Sequence, residues 1–333
     1  VKGLLMRKRI AAVAAAAALA LASVLGLSAC GQGGQQAGSG QQHSEKVVVG
    51  TLATEDILPM WVAEDAGLFE KAGVDASIQT FQSATELIAA VNAGEVQMAM
   101  TDPMVTASIY ASGTDVQIEW VTLGTTAEQG RFGIMTADPE VKSLADLAGI
   151  EVGVGSNTIL EYVLDRLMER AGVPADQVLT AELQKLPVRY QACVSGQVAA
   201  AALPASLLAL GEASGCTVVA DDTTGDNISQ SVMIAASSFA ASDAGAAALE
   251  ALKGVWDEAA ASINADPESY RALLAEKANL SDQIADTYSV SEYPSCQLPA
   301  QEQVDDILAW MKAKGYLAEG ISYDAATGCF SGR

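Results

Sequence analysis

Short apolar runs alternate with longer amphipathic stretches from Lys46 onward, and this order restricts the chain to few fold classes. The run KVVVGTLA (Lys46 to Ala53) is rich in β-branched residues, which is typical of a buried strand. Pro59 then opens the helical stretch PMWVAEDAGLFEKAG, since proline is tolerated at the first helical position. Strand-like DASIQTF and helical SATELIAAVNAG follow. Because strands joined through helices usually run parallel, the order predicts an α/β fold built on a parallel sheet.

Capping residues mark several helix ends in this pattern. Ser83 with Glu86, and Thr158 with Glu161, have the spacing of capping boxes, and Gly94 is placed to end a helix. The other predicted strands are VQMAMT, FGIM, IEVGVG, VAAAAL and CTVVA. One further helix is predicted to start at Asp102-Pro103. The other predicted helices are SLADLAG, SNTILEYVLDRLMERAG, PVRYQACVSGQ and PASLLALGEASG. From about Ala241 onward the pattern indicates a helix-rich segment.

The N-terminal region has the marks of a secretory signal. A basic start (Lys2, Arg7 to Arg9) precedes an apolar run from Ile10 to Gly26. Leu27-Ser28-Ala29-Cys30 resembles the bacterial lipobox, in which the cysteine receives a diacylglycerol and becomes the mature N-terminus. We therefore predict a signal peptide over residues 1–29 and a lipoprotein carrying palmitate-type acyl chains at Cys30. An ordinary signal peptide or a short membrane anchor is the alternative.

A flexible tether is predicted between the lipid and the folded part, over residues 30–45. Gly31 to Ser44 has Ala37 as its only apolar side chain, so it cannot bury enough surface to offset the entropy of ordering. His43 lies in this tether and is expected to be inert. The predicted location is extracytoplasmic, with the chain anchored to a bacterial cell membrane through its lipid alone.

Composition limits the possible partners and chemistry. The net charge is −23, which disfavours nucleic acid and anionic lipid as partners. Because His43 is the only histidine, no Ser–His or Cys–His arrangement can form in the folded part. No C-x-x-C spacing occurs, so we expect no metal, and nothing in the sequence indicates a cofactor. The sequence therefore predicts a protein that is not an enzyme.

Five spaced motifs carry a family resemblance. They are AEDAGLFEKAGVD (Ala63 to Asp75), AGEV (Ala93 to Val96), SLADLAGIEVGVG (Ser143 to Gly155), VSGQVAAAALP (Val194 to Pro204) and NADPESYRALLAE (Asn264 to Glu276). Together they resemble the substrate-binding proteins of ABC importers, in particular the nitrate/sulfonate/taurine group that includes binders of thiamine-pyrimidine precursors. Gln97 and Ala199 stand where that family often has aspartate, and we expect local adjustment of two buried strands there.

The resemblance implies a type II periplasmic-binding-protein fold, in which two α/β lobes joined by a hinge close around a small molecule. It implies a discontinuous first lobe, residues 46–124 plus 232–333, and a second lobe, residues 125–231. The crossings would lie near Gly124–Arg131 and Asn227–Val232, and a helical C-terminal segment would pack on the first lobe. It also implies a monomer that delivers its solute to an ABC permease and ATPase complex.

Four cysteines follow Cys30, and outside the cytoplasm an even number is compatible with disulfides. They are Cys193, Cys216, Cys296 and Cys329. Four cysteines allow three pairings, among which sequence does not choose. We favour Cys193–Cys216 with Cys296–Cys329, because each pair then falls within one lobe.

Ligands of open α/β sheets bind at the carboxyl ends of strands, where helix N-termini also point. The predicted strand-to-helix turns there are Thr54–Met60, Gln82–Ala84, Thr101–Pro103, Gly155–Thr158 and Leu203–Ser206. The candidate ligand-binding residues are Trp61, Ser83, Asp102, Arg131, Ser156, Asn157, Thr158, Tyr162, Pro204 and Gln230. Other interpretations stay open: the serines and the aspartate also suit helix caps, the aromatic residues a core, and the arginine a solvated surface.

The tether and the motifs together predict a receptor that captures a small organic solute for an importer. Helix N-termini favour a sulfonate, nitrate or taurine-like anion, whereas Trp61 and Tyr162 suit a pyrimidine or another heteroaromatic ring. Two other classes stay open. One is a surface-tethered enzyme of the same fold that acts on a small metabolite through carboxylates such as Asp102. The other is a ligand-sensing receptor subunit that signals to a membrane kinase.

Overall fold

Two β-sheets organise the computed structural model, which describes residues 46–333. The predicted signal peptide (1–29) and tether (30–45), with Cys30 and His43, lie outside the described residues. The strands are β1 (Val47–Leu52), β2 (Ala76–Phe81), β3 (Met98–Thr101), β4 (Val116–Leu123), β5 (Phe132–Thr136), β6 (Glu151–Val154), β7 (Leu179–Glu182), β8 (Ala200–Pro204), β9 (Thr217–Asp221), β10 (Ser231–Ala236), β11 (Ser322–Asp324) and β12 (Cys329–Ser331). Seven form one sheet in the order β11-β12-β4-β10-β3-β1-β2, and five form the other in the order β7-β6-β8-β5-β9.

Helices connect most of the strands. They are α1 (Leu58–Asp65), α2 (Leu68–Lys71), α3 (Ala84–Asn92), α4 (Pro103–Ala111), α5 (Ile159–Arg170), α6 (Leu186–Val194), α7 (Ala205–Ala213), α8 (Ser237–Ala240), α9 (Asp243–Ala265), α10 (Arg271–Lys277), α11 (Asp282–Ala285) and α12 (Gln301–Ala313). The single helix predicted from Pro59 is divided into α1 and α2, because Gly67 adopts a left-handed backbone (φ 65°). Within residues 46–333, no helix is both long and apolar enough to cross a membrane.

Neither predicted capping box closes in the reciprocal way. Ser83 Oγ accepts from the Glu86 backbone N–H at 3.3 Å, but the Glu86 carboxylate turns to the backbone N–H of Gln82. At α5 the Thr158 hydroxyl donates to Gly155 O at 2.7 Å. The carboxylate of Glu161 accepts instead from the backbone N–H of the residue before Thr158. The N-terminus of α3 is therefore capped by the Ser83 hydroxyl, whereas the first N–H of α5, that of Ile159, donates to the Asp102 carboxylate.

The larger sheet is mixed, so the prediction of a parallel sheet is wrong for part of it. Strand β1 pairs in parallel with β2 and β3, as strands joined through helices do. Strand β10 runs antiparallel to both β3 and β4, because the chain re-enters this sheet after building the other one. A terminal antiparallel hairpin, β11-β12, joins the edge next to β4. The C-terminal segment is therefore not helical throughout.

Alternate residues of β10 face two different cores. Val232 and Ile234 belong to one apolar cluster, and Met233 and Ala235 to the other, as the two-residue period of a strand requires. Gly50 in β1 is needed for close packing of α3, since a Cβ there would lie 2.6 Å from Leu87 Cδ1. Helices thus cover both faces of the larger sheet, which leaves its strand ends for a site.

Two chain segments connect the sheets, one between Leu123 and Phe132 and the other between Asp221 and Ser231. They lie side by side. Gly124 O accepts from Asn227 Nδ2 at 2.5 Å and from Gln230 Nε2 at 3.1 Å. A Cβ on Gly124, whose φ is 91°, would lie 2.4 Å from a backbone oxygen of the returning segment, so only glycine fits.

Candidate functional site: a cavity between the two sheets

A cavity of about 80 Å³, called the inner cavity below, lies where the carboxyl ends of β1, β3 and β8 meet the first turns of α4 and α5. Both sheets contribute to its wall. The lining residues are Leu52, Thr54, Asp56, Ala84, Met100, Thr101, Asp102, Phe132, Thr158, Ile159, Leu160, Gln184, Leu186, Arg189, Pro204 and Ser231. A second cavity of about 300 Å³ adjoins it and shares the wall residues Leu52, Thr54, Leu186 and Pro204. Parallel-strand ends are where this class of sheet binds ligands.

Asp102 connects the two sides of the cavity. It caps α4, and its Oδ1 accepts from Val105 N at 2.8 Å, while Oδ2 accepts at 3.2 Å from Ile159 N, the first residue of α5. Burial raises its pKa to about 6, the nearby charge of Asp56 adds to this, and the backbone N–H donors partly offset it. One carboxylate therefore bonds the N-termini of two helices that follow strands of different sheets.

Asp56 lies in a single 3₁₀ turn that follows β1, and its side chain is buried. Its Oδ1 accepts from the hydroxyl of Ser231, the first residue of β10. Its Oδ2 has no hydrogen-bond partner among residues 46–333, yet it is not sealed from the cavity. In the same part of the chain no ion pair involves Asp56 or Asp102. The wall thus holds one carboxylate oxygen with unused acceptor capacity.

Arg189, on α6, is the basic side chain in the wall of the first cavity. It is 2% exposed, and its guanidinium donates to three backbone carbonyls: Leu183 O at 2.8 Å, Ala202 O at 3.0 Å and Gln184 O at 3.3 Å. Burial lowers its pKa to about 10, so the group stays protonated at neutral pH. The carbonyls take up three of the five N–H donors of the side chain.

Three of the predicted site residues line the first cavity: Asp102, Thr158 and Pro204. Three others lie close by but point elsewhere. Ser83 is a buried cap of α3, and Ser156 bonds to the Glu182 carboxylate. Asn157 has a left-handed backbone (φ 57°), and its Nδ2 donates to Ser108 Oγ at 2.7 Å.

The predicted aromatic residues are not part of the cavity wall. Trp61 is 2% exposed and packs in the core that α1 shares with α9. Tyr162 packs edge-on against Trp310, and its hydroxyl donates to Asp306, a residue of α12. The geometry of both side chains is that of packing residues, which was the alternative interpretation of the sequence.

The last two predicted residues line other grooves. Gln230 is buried beside the crossing segments and lines the groove that also contains Tyr162. Arg131 forms ion pairs with Asp221 at 2.7 Å and Glu212 at 3.0 Å, so neighbouring acids neutralise its charge.

All four described cysteines are free thiols, so neither predicted disulfide is present. Cys193 and Cys216 share a small apolar cluster, but Cys193 Sγ donates to Met135 O at 3.3 Å instead of bridging. Cys296 Sγ points to Lys253 O on α9, whereas Cys329 lies in the terminal hairpin and bonds within its own turn. Residues 46–333 contain no cluster of three or more histidine, cysteine, aspartate or glutamate side chains placed to hold a metal ion.

Several wall residues were not singled out from the sequence. Asp56 lies within a turn predicted to face the ligand, but one acid among many carried no further signal. Arg189 lies on a predicted helix, and its orientation depends on β7, a strand that the sequence pattern did not indicate. Phe132 and Ser231 begin strands, so they face the cavity only because the crossing segments bring both sheets together.

Two α/β sheets with a cavity at their strand ends are typical of the periplasmic-binding-protein class. The family model described as NMT1/THI5 like matches residues 54–268, well over half of the chain. The chain therefore belongs to the NMT1/THI5-like family, and the family resemblance of the sequence is confirmed. A search of curated protein sequences gave no match.

Solved structures of the same fold confirm the predicted fold class. One is the alkanesulfonate-binding protein SsuA from Xanthomonas axonopodis pv. citri bound to MOPS (17% identity, TM-score 0.70, 82% of this chain and 94% of that one). Another is the periplasmic aliphatic sulphonate binding protein SsuA from Escherichia coli (19%, 0.68, 83% and 94%). A third, the Candida albicans CA3427 gene product, is described as having the generic periplasmic binding protein fold (13%, 0.64, 83% and 92%).

Proposed function

We propose that this protein is the extracytoplasmic solute-binding lipoprotein of an ABC importer. It captures a small organic solute between two lobes, leaves the solute chemically unchanged and delivers it to a membrane permease with its ATPase. Family membership and the two SsuA structures, which are named for sulfonate binding, support this function. The observation that carries it is the cavity, because its wall is built from strand ends of both sheets and contains a buried carboxylate and a buried guanidinium.

The proposed lobes are residues 46–124 plus 232–333 and residues 125–231, each built around one of the two sheets. The two crossing segments, held together at Gly124 O, act as the hinge. Because the two crossing segments lie side by side, they allow the lobes to bend about one axis and resist twisting about the other. Capture then consists of closure about this hinge, and release to the permease consists of opening.

Anchoring is proposed to depend on Cys30, with the signal peptide removed and the tether of residues 30–45 spanning the distance to the membrane. In the cell, radioactive palmitate should label the wild-type protein, and the Cys30→Ser variant should be unlabelled and lose its membrane attachment. Full membrane attachment of the Cys30→Ser variant would contradict a lipid anchor.

Binding itself is tested with the purified mature protein and a panel of sulfonates, nitrate, amines, pyrimidines and flavins. A ligand that binds only the native state raises the melting temperature by mass action. The variant Ala84→Phe places a ring in the cavity wall, and Ala93→Phe places the same ring on the exposed end of the same helix. We expect Ala84→Phe to abolish the ligand-induced shift and Ala93→Phe to preserve it. Chemical conversion of the ligand, or the absence of any ligand in the panel and in an extended metabolite screen, would overturn the proposal.

A further inference from the structure

We propose that the solute carries a positively charged nitrogen, an ammonium or an amidinium, which Asp56 holds in the inner cavity. This inference rests on the proposed function, since it names the class of solute bound at the same site. The juxtaposition that carries it is a buried carboxylate with a free oxygen, placed beside a second carboxylate that already occupies two helix N-termini.

The first observation is the unused oxygen of Asp56. The residue lines the cavity and is 4% exposed, Oδ1 accepts from the Ser231 hydroxyl, and Oδ2 has no hydrogen-bond partner among the described residues. A buried carboxylate is costly unless it is paired with a cation or with hydrogen-bond donors. In the described chain no lysine or arginine supplies this pairing. A cationic N–H group of the solute does so directly, as a charge-assisted hydrogen bond.

The second observation concerns the place where an anionic solute would be expected. Backbone N–H groups at helix N-termini are the usual anion sites of such cavities. Here the N-termini of α4 and α5 both donate to Asp102, through Val105 N and Ile159 N. The protein's own carboxylate thus takes the place of a ligand anion. A sulfonate approaching these helices would meet a like charge instead of free donors.

The third observation is the state of Arg189, the cationic side chain in the wall. Three of its donors are bonded to main-chain carbonyls, and it contacts the cavity from the side of α6 and β8. Two acids, Asp56 and Asp102, line the inner cavity together with this single base, so the wall has an excess of negative charge. This balance favours a cationic solute over an anionic one.

The other residues of the cavity walls indicate what the uncharged part of the solute is like. The inner cavity is lined by apolar side chains of Leu52, Met100, Phe132, Ile159 and Leu160 around the two acids, and its volume fits a small head group. The adjoining larger cavity is lined by further apolar residues, Phe81, Tyr190, Leu207, Leu210, Leu280 and Ile284. A compact cationic head on an apolar or aromatic body matches both.

Three benzyl probes vary the head group: benzylamine and benzyl alcohol have nearly the same shape and differ in charge, and phenylmethanesulfonate carries a larger, anionic head. Titration calorimetry of the mature protein at pH 7.5 should give benzylamine an affinity at least about tenfold higher than that of the alcohol, and no binding of the sulfonate. A charge-assisted hydrogen bond supplies a difference of roughly ten- to a hundredfold. Equal affinity for amine and alcohol, or tighter binding of the sulfonate, overturns the inference.

Failure of this inference is distinguishable from failure of the proposed function. If the extended metabolite screen yields an anionic or uncharged solute, the receptor function stands and the inference falls. If it yields a cationic solute, both stand. If no solute of any charge binds, the receptor function itself is refuted.

A matched pair of variants identifies the carboxylate. Asp56→Asn should weaken benzylamine binding roughly ten- to a hundredfold and leave benzyl alcohol binding within about twofold. Asp65→Asn makes the same change on the exposed end of α1 and should alter neither affinity. Unchanged amine binding by a folded Asp56→Asn protein overturns the assignment. The comparison of the three probes uses the wild-type protein, so it holds even if Asp56→Asn fails to fold.

Discussion

Replacing Glu55 by glutamine should make the protein more stable at alkaline pH and flatten the dependence of its stability on pH. Glu55 is buried next to Asp56 in the chain: Oε1 accepts from the Tyr288 hydroxyl at 3.0 Å, and Oε2 is buried without a partner among the described residues. Burial raises the pKa of Glu55 from 4.5 to about 8, and the neighbouring charge of Asp56 contributes to the rise.

The sign and size of the effect follow from proton linkage. Between pH 4.5 and about 8 the folded protein keeps a proton on Glu55 that the unfolded chain has lost, so the free energy of unfolding falls as pH rises across this window. Each pH unit is worth about 1.4 kcal/mol, which gives a penalty of at most about 5 kcal/mol above pH 8. Glutamine has nearly the same shape and no charge, so Glu55→Gln removes this penalty.

Urea unfolding at pH 5 and pH 8.5 measures this loss of stability caused by the ionised Glu55 carboxylate. We expect the difference in unfolding free energy between Glu55→Gln and wild type to be several kcal/mol larger at pH 8.5 than at pH 5. For the control Glu70→Gln, an exposed change on α2, the difference in unfolding free energy from wild type should be the same at pH 5 and at pH 8.5. Parallel pH profiles for wild type and Glu55→Gln would show that Glu55 ionises normally and would refute the reasoning.

Other substitutions test the packing and the thiols. Gly50→Ala should lower the free energy of unfolding by roughly 1–3 kcal/mol, because its Cβ meets Leu87; a urea midpoint equal to wild type would contradict this. Gly254→Ala, in α9 with open space around it, should instead raise stability by up to about 1 kcal/mol, so any loss would show an unseen contact. Ser83→Ala should cost about 1 kcal/mol through loss of the cap of α3, measured in the same way. A chain that begins at Gly31, and so lacks Cys30, should expose four reactive thiols on denaturation without reductant, and a count of two or none would reveal disulfides.

Most elements with a strong periodic pattern were predictable from sequence. The strand at Val47–Leu52, the long helix α9 and the cap at Ser83 all follow from local patterns of residues. Pairing direction was not predictable, because β10 joins β3 and β4 in the antiparallel sense only after a long excursion of the chain. The terminal hairpin was missed because its strands are three residues long, too short for a period to be visible.

The location of the candidate site at the strand ends was easier to predict from sequence than the side chains that line it. Turns after strands place Asp102, Thr158 and Pro204 in one cavity wall, since the strand ends of a sheet converge, and their contact with a ligand stays a prediction. The contribution of Arg189 depends on how α6 rolls against β8, a tertiary property that one helix pattern does not contain. Trp61 and Tyr162 show the converse, because large aromatic residues at helix starts bury area wherever packing allows.

The bond from Asp102 to the first N–H of α5 gives any opening movement a particular character. If α4 separated from α5, the Asp102 carboxylate and the first N–H of α5 would lose their hydrogen bond and would both be hydrated instead. In the proposed opening movement, hydration of this ionisable group would contribute to the balance between closed and open forms, and the pH of the surroundings would then shift that balance.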